Sequence, residues 1–134
     1  MPTSIFAANN QLHIMKKRIL IIDDDHDILE LLRIAFRDSG HEVIFSRTAP
    51  DVNYISVLHP DLILLDVRIN GFPRKGAEIC KELKADSKTE KLPVILCSGE
   101  YNLRKIAAEC NADMYLAKPY DMISLLSQVN TYLS

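Results

Sequence analysis

The stretch RILIIDDDHD, residues 18–27, decides the reading of the fold. Four apolar residues, Ile19, Leu20, Ile21 and Ile22, run straight into three carboxylates, Asp23, Asp24 and Asp25. Like charges this close repel one another, and each is costly to desolvate. An apolar run that ends in clustered acid reads as a buried strand whose carboxyl end carries a function.

Four more short apolar runs follow, at residues 43–45, 62–65, 94–97 and 114–117. They are continuous rather than alternating, as expected of strands covered on both faces of a parallel sheet. Segments of helical period lie between them. Ile28, Leu31, Leu32, Ala35 and Phe36 share a face, with Asp27 placed as N-cap and Ser39-Gly40 as the stop. A short second helix turns Val52, Ile55 and Leu58 inward and ends before Pro60. A third, over about 76–85, buries Ile79 and Leu83. A fourth, near 103–110, carries Ile106 and Ala107. A fifth starts near Asp121 and aligns Met122, Leu125, Leu126 and Val129. Strand then helix, five times over, predicts an α/β fold with a five-stranded parallel sheet and helices on both faces. Residues 1–16 read as a poorly ordered leader and 17–134 as one domain.

The ligand site of such a sheet lies outside the carboxyl ends of its strands. There the sequence places Asp23 and Asp24 after the first strand, Asp66 after the third, Ser98 after the fourth and Lys118 after the fifth. Any one of these alone is a bland turn or cap residue. Together they gather carboxylates, a hydroxyl and an ammonium at one edge. Clustered carboxylates become tolerable around a divalent cation, and hard oxygen ligands suit Mg²⁺. Such a site can accept phosphate on a carboxylate. Asp25 and Asp27 fit the turn reading and are not assigned as ligands.

Composition sets outer bounds. The 134 residues are 48% hydrophobic and 25% charged, ordinary for a globular chain. A net charge of -2 offers no basic footprint, so neither nucleic acid nor a membrane surface is expected as a partner. No apolar run approaches the ~20 residues needed to span a bilayer. Cys80, Cys97 and Cys110 form no CxxC pair, which suits a reducing cytoplasm better than a disulfide framework.

The segments ILIIDDDHDILELL, PDLILLDVRINGFPRKG, LPVILCSG and ADMYLAKPYD together resemble the receiver domain of two-component response regulators. The resemblance covers nearly the whole chain and implies the flavodoxin-like (βα)5 fold. It implies that Asp66 is the phospho-acceptor. Asp23 and Asp24 would be the acidic pair of a Mg²⁺ site that Asp66 and the Arg68 carbonyl complete. Ser98 would be the switch hydroxyl, Lys118 the partner of the phosphate, and Tyr115 the aromatic residue that changes rotamer. Pro119 would follow a cis peptide bond. The implied partners are a sensor histidine kinase or phosphotransfer protein and a downstream protein target. The chain would be a signalling switch rather than an enzyme.

Two departures from the family pattern stand out. Asn70 occupies the usual proline position, and Gly76 comes about two residues late. The loop after Asp66 is therefore expected to be longer and more mobile. The stretch between Ser98 and Lys118 is about two residues short, so a truncated or shifted fourth helix is expected. Arg68 and Glu100 are expected to overhang the site and to pair across its mouth; two solvated side chains are the bland alternative. Competing readings are a receiver-like module that is never phosphorylated and a haloacid-dehalogenase-like phosphatase. The phosphatase would use Asp23 as nucleophile, but its later acidic pair is missing. A flavodoxin-like cofactor binder is disfavoured because carboxylates would repel a flavin phosphate.

Overall fold

The computed structural model describes residues 16–72 and 75–134. Except for Lys16, the expected leader lies outside those residues. The elements alternate as β1 (Arg18–Ile22), α1 (His26–Phe36), β2 (Glu42–Ser46), α2 (Val52–Leu58), β3 (Leu62–Asp66), α3 (Lys75–Ala85), β4 (Val94–Ser98), α4 (Leu103–Glu109), β5 (Met114–Ala117) and α5 (Met122–Leu133). The strands form one parallel sheet in the order β2-β1-β3-β4-β5.

Each face of the sheet has its own core. Leu20, Ile22, Ile63, Leu65 and Leu96 pack against α2, α3 and α4 through Ile55, Ile79, Leu83 and Ile106. Ile19, Ile21, Leu64, Ile95 and Cys97 pack against α1 and α5 through Leu29, Leu32, Phe36, Leu125 and Val129. Side chains of β1, β3 and β4 therefore alternate between two apolar layers, which is why their sequences are continuously apolar. The edge strands differ. β2 is only half-buried and β5 alternates between half-buried and exposed, because each has a neighbour on one side alone.

Two details of α1 correct the sequence reading. Its N-cap is Asp25, whose carboxylate accepts from the N–H groups of Asp27 and Ile28, so Asp27 lies in the first turn. The helix also buries Leu29 and leaves Leu31 half exposed to solvent. Leu29, Leu32 and Phe36 follow the same spacing rule one register away. The fourth helix, α4, has seven residues, in keeping with the short stretch that precedes Lys118.

One glycine is fixed by contact. A Cβ on Gly76 would collide with the Asp66 carbonyl oxygen and lie 2.7 Å from its carbon and 2.8 Å from the Val67 Cα. Those atoms are backbone and cannot swing aside. The Gly76 N–H also donates to the Val67 carbonyl at 2.8 Å. Gly76→Ala is expected to lower the unfolding free energy by roughly 2 kcal/mol or more. Urea denaturation reads this directly, and an unchanged midpoint would refute the close packing.

Candidate functional site

β1 lies between β2 and β3, so the strand order reverses at its carboxyl end and a crevice opens there. Asp23 follows β1 directly, and its N–H donates to the Ser46 carbonyl at 3.0 Å. Asp66 ends β3, in register with Cys97 of β4, and Ser98 stands one position further on. Asp23, Asp66 and Ser98 are all buried. Carboxylate oxygens of Asp23, Asp24 and Asp66 lie within 4.8 Å of one another.

Each carboxylate has a different restraint. Asp23 accepts from the Asp25 N–H at 2.9 Å and from the Lys118 ammonium at 2.7 Å. Asp66 faces the same ammonium at 3.3 Å. The Asp24 carboxylate accepts from the backbone N–H of Asn70 at 2.6 Å. Lys118 reaches the cluster from the end of β5, where its N–H donates to the Ser98 carbonyl at 2.9 Å. The Lys118-Pro119 peptide is cis, as the resemblance implied. The Ser98 hydroxyl accepts from the Glu100 N–H at 3.0 Å, at the rim of the same crevice.

Two expected residues have exposed side chains. Tyr115 pairs with Leu96 and is exposed on the edge strand. Arg68 is exposed, and no ion pair joins it to Glu100 among the described residues. The expectation that the two close the mouth is therefore corrected. Hydration of an exposed guanidinium competes with such a pair. Oε2 of Glu100 is buried without a hydrogen-bond partner.

The described part of the loop after Asp66 closes into a turn. Ile69 and Phe72 exchange backbone hydrogen bonds of 3.2 and 2.9 Å around Asn70 and Gly71. The φ angles there are +52° and +80°. This is a two-residue hairpin turn of type I′, and Asn-Gly is its strongest sequence signal. Asn70 was legible as a departure from proline, but its bond to Asp24 was not.

Electrostatics favour a cation. Burial pushes the Asp66 carboxyl up to about 7, and the neighbouring charges of Asp23 and Asp24 add to the push against Lys118. Burial alone would lower Lys118, but its hydrogen bond to Asp23 and the charges of Asp66 and Asp23 raise it overall. Among the described residues the Lys118 ammonium thus contacts two of the three clustered carboxylates. The donor set is all hard oxygen in a partly dehydrated cleft, and it fits Mg²⁺ rather than a softer metal.

The family comparison agrees with this geometry. The description "Response regulator receiver domain" matches residues 19–130. The chain belongs to the response regulator receiver domain family. These domains are signalling switches, and as a family they bind Mg²⁺ at an acidic pocket. The DNA-binding response regulator MtrA of Mycobacterium tuberculosis is 30% identical over 122 residues, covering 89% of this chain and 51% of MtrA. The phosphate regulon regulator PhoB of Pseudomonas aeruginosa is 32% identical, covering 87% of this chain and 52% of PhoB. The receiver domain of a signal transduction histidine kinase from Syntrophus aciditrophicus superposes with a TM-score of 0.77 at 29% identity, covering 87% of this chain and 89% of that one. The chain spans about half the length of the curated relatives it matches.

Those relatives overturn one expectation. Net charge argued against any nucleic-acid partner, yet the relatives are named as DNA-binding or transcriptional regulators. Proteins named for DNA binding thus match this chain over about half their length, so its net charge does not exclude nucleic acid. Among the described residues no helix is long and apolar enough to cross a membrane.

Asp66 also sets a pH dependence. Between its ordinary value of 3.8 and about 7, the folded chain holds a proton that the unfolded chain has released. Stability of the metal-free protein therefore falls as pH rises through that window. Asp66→Asn removes the buried charge. It is expected to raise stability above pH 7 by on the order of a few kcal/mol, and to change it little below about pH 4. Urea unfolding in EDTA across that range is the check; an effect independent of pH would contradict the assignment.

Proposed function

We propose that this chain is a phospho-accepting receiver in which Asp66 takes a phosphoryl group from a phosphohistidine or a small acyl phosphate. The observation that carries the reading is the convergence of Asp66 with Asp23, Asp24 and Lys118 at one sheet edge. An Asp66 carboxylate oxygen attacks phosphorus. An O–P bond forms, the P–N or P–O bond of the donor breaks, and its electron pair leaves with the donor. Mg²⁺, held by Asp23, Asp24, Asp66 and the Arg68 carbonyl, would neutralise charge on the transferring group.

The other roles belong to the chain itself. The Lys118 ammonium, now shared between Asp23 and Asp66, can turn to a phosphoryl oxygen. The Ser98 hydroxyl can exchange its contact with the Glu100 N–H for one with the phosphoryl group. That movement would bias the adjoining face, where Tyr115 stands exposed beside β4. The names of the relatives point to control of a DNA-binding output as the eventual effect.

Incubation with Mg²⁺ and acetyl phosphate, followed by intact mass measurement, tests the reading. One added phosphoryl group is expected, absent in Asp66→Asn and prevented by EDTA. An adduct retained by Asp66→Asn would exclude Asp66 as acceptor. A beryllofluoride complex without any phosphoryl adduct would indicate rapid turnover. Failure of both would favour a module that is never phosphorylated.

A further inference from the structure

Asp24 differs from the other two clustered carboxylates in having no ion pair with Lys118 among the described residues. Lys118 contacts Asp23 and Asp66, and Asp23 also holds the Asp25 N–H. Among the described residues, the Asp24 carboxylate accepts its hydrogen bond from the Asn70 N–H. A carboxylate with one short, charge-assisted bond takes its direction from that donor.

The donor is well fixed. Val67 extends the ladder by donating to the Cys97 carbonyl at 3.0 Å, and Gly76 donates back to Val67. The Val67 and Ile69 side chains are fully buried and anchor the hairpin in the core. In a type I′ turn the central residues take positive φ, as Asn70 and Gly71 do. The hairpin bonds run between Ile69 and Phe72, which leaves the Asn70 N–H free for Asp24. Proline could supply neither the positive φ nor the N–H.

We infer that the Asn70-Gly71 turn is a positioning device that orients the Asp24 carboxylate and thereby sets the affinity of the acidic cluster for a divalent cation. The inference rests on the reading of Asp23, Asp24 and Asp66 as a Mg²⁺ site. Asn70 acts through Asp24 and touches neither the metal nor the phosphoryl group. Partners that orient metal ligands typically change affinity about 10- to 100-fold when lost.

Mg²⁺ titration of the full chain by calorimetry, without phosphodonor, is the test. Asn70→Pro is expected to weaken Mg²⁺ binding about 10- to 100-fold. Asn70→Gly keeps the N–H and tolerates positive φ, so it is expected to bind like wild type. Asn70→Val keeps the N–H but disfavours positive φ, and an intermediate loss is expected. Circular dichroism checks that each variant is folded, and if Asn70→Pro is not, Asn70→Val decides. Wild-type affinity in a folded Asn70→Pro, or in Asn70→Val when Pro does not fold, overturns the inference. So does an Asn70→Gly as weak as the proline variant. A wild-type chain that takes up no Mg²⁺ overturns the metal reading itself, and this inference with it.

Discussion

The Lys118 ammonium holds the site together. Lys118 lies 2.7 Å from Asp23 and 3.3 Å from Asp66, two buried carboxylates that would otherwise repel across the gap between β1 and β3. Removing one partner from a buried pair leaves an uncompensated charge, which is far costlier than losing a surface ion pair. The central strands can thus end in acid because the end of β5 supplies the counter-charge. Burial, with the charge of Asp23 added to it, outweighs that counter-charge, so the Asp66 carboxyl remains raised. The sheet, with its two apolar layers, supplies the rigidity that keeps these like charges within reach of one another.

Much of this was legible in the sequence, and for identifiable reasons. β1, β3 and β4 are covered on both faces, so their apolar runs are unbroken and their ends are marked by the first polar residue. That places Asp23, Asp66 and Ser98 at one edge from the sequence alone. The edge strands gave weaker signals, since one-sided packing tolerates Glu42 and Tyr115. The start of α1 was misjudged because DDDHD offers two cap residues two positions apart. Asp25 prevails because its carboxylate reaches the N–H groups of Asp27 and Ile28. With that start, Leu29 rather than Leu31 faces the sheet.

The roles that depended on side-chain reach were harder to read. Arg68 and Glu100 stand at matching offsets from Asp66 and Ser98, yet spacing does not say which way a loop side chain turns. The Asn70 N–H belongs to the backbone, so no residue type announces it. The Asn-Gly dipeptide was the available signal, and it predicts a tight hairpin rather than a loose loop. Net charge failed as a guide to partners: the relatives named for DNA binding or transcription extend to about twice this length, and the match does not cover the rest of them.

Gly76 carries a consequence for how this segment can vary. Its contact with the Asp66 and Val67 backbone fixes the far end of the loop, and the Val67 bond to Cys97 fixes the near end. Between these two clamps lies the turn that bonds Asp24 and carries an exposed Phe72. Changes of length there would alter the surface beside Asp24 while the two clamps keep the end of β3, and Asp66 with it, in place.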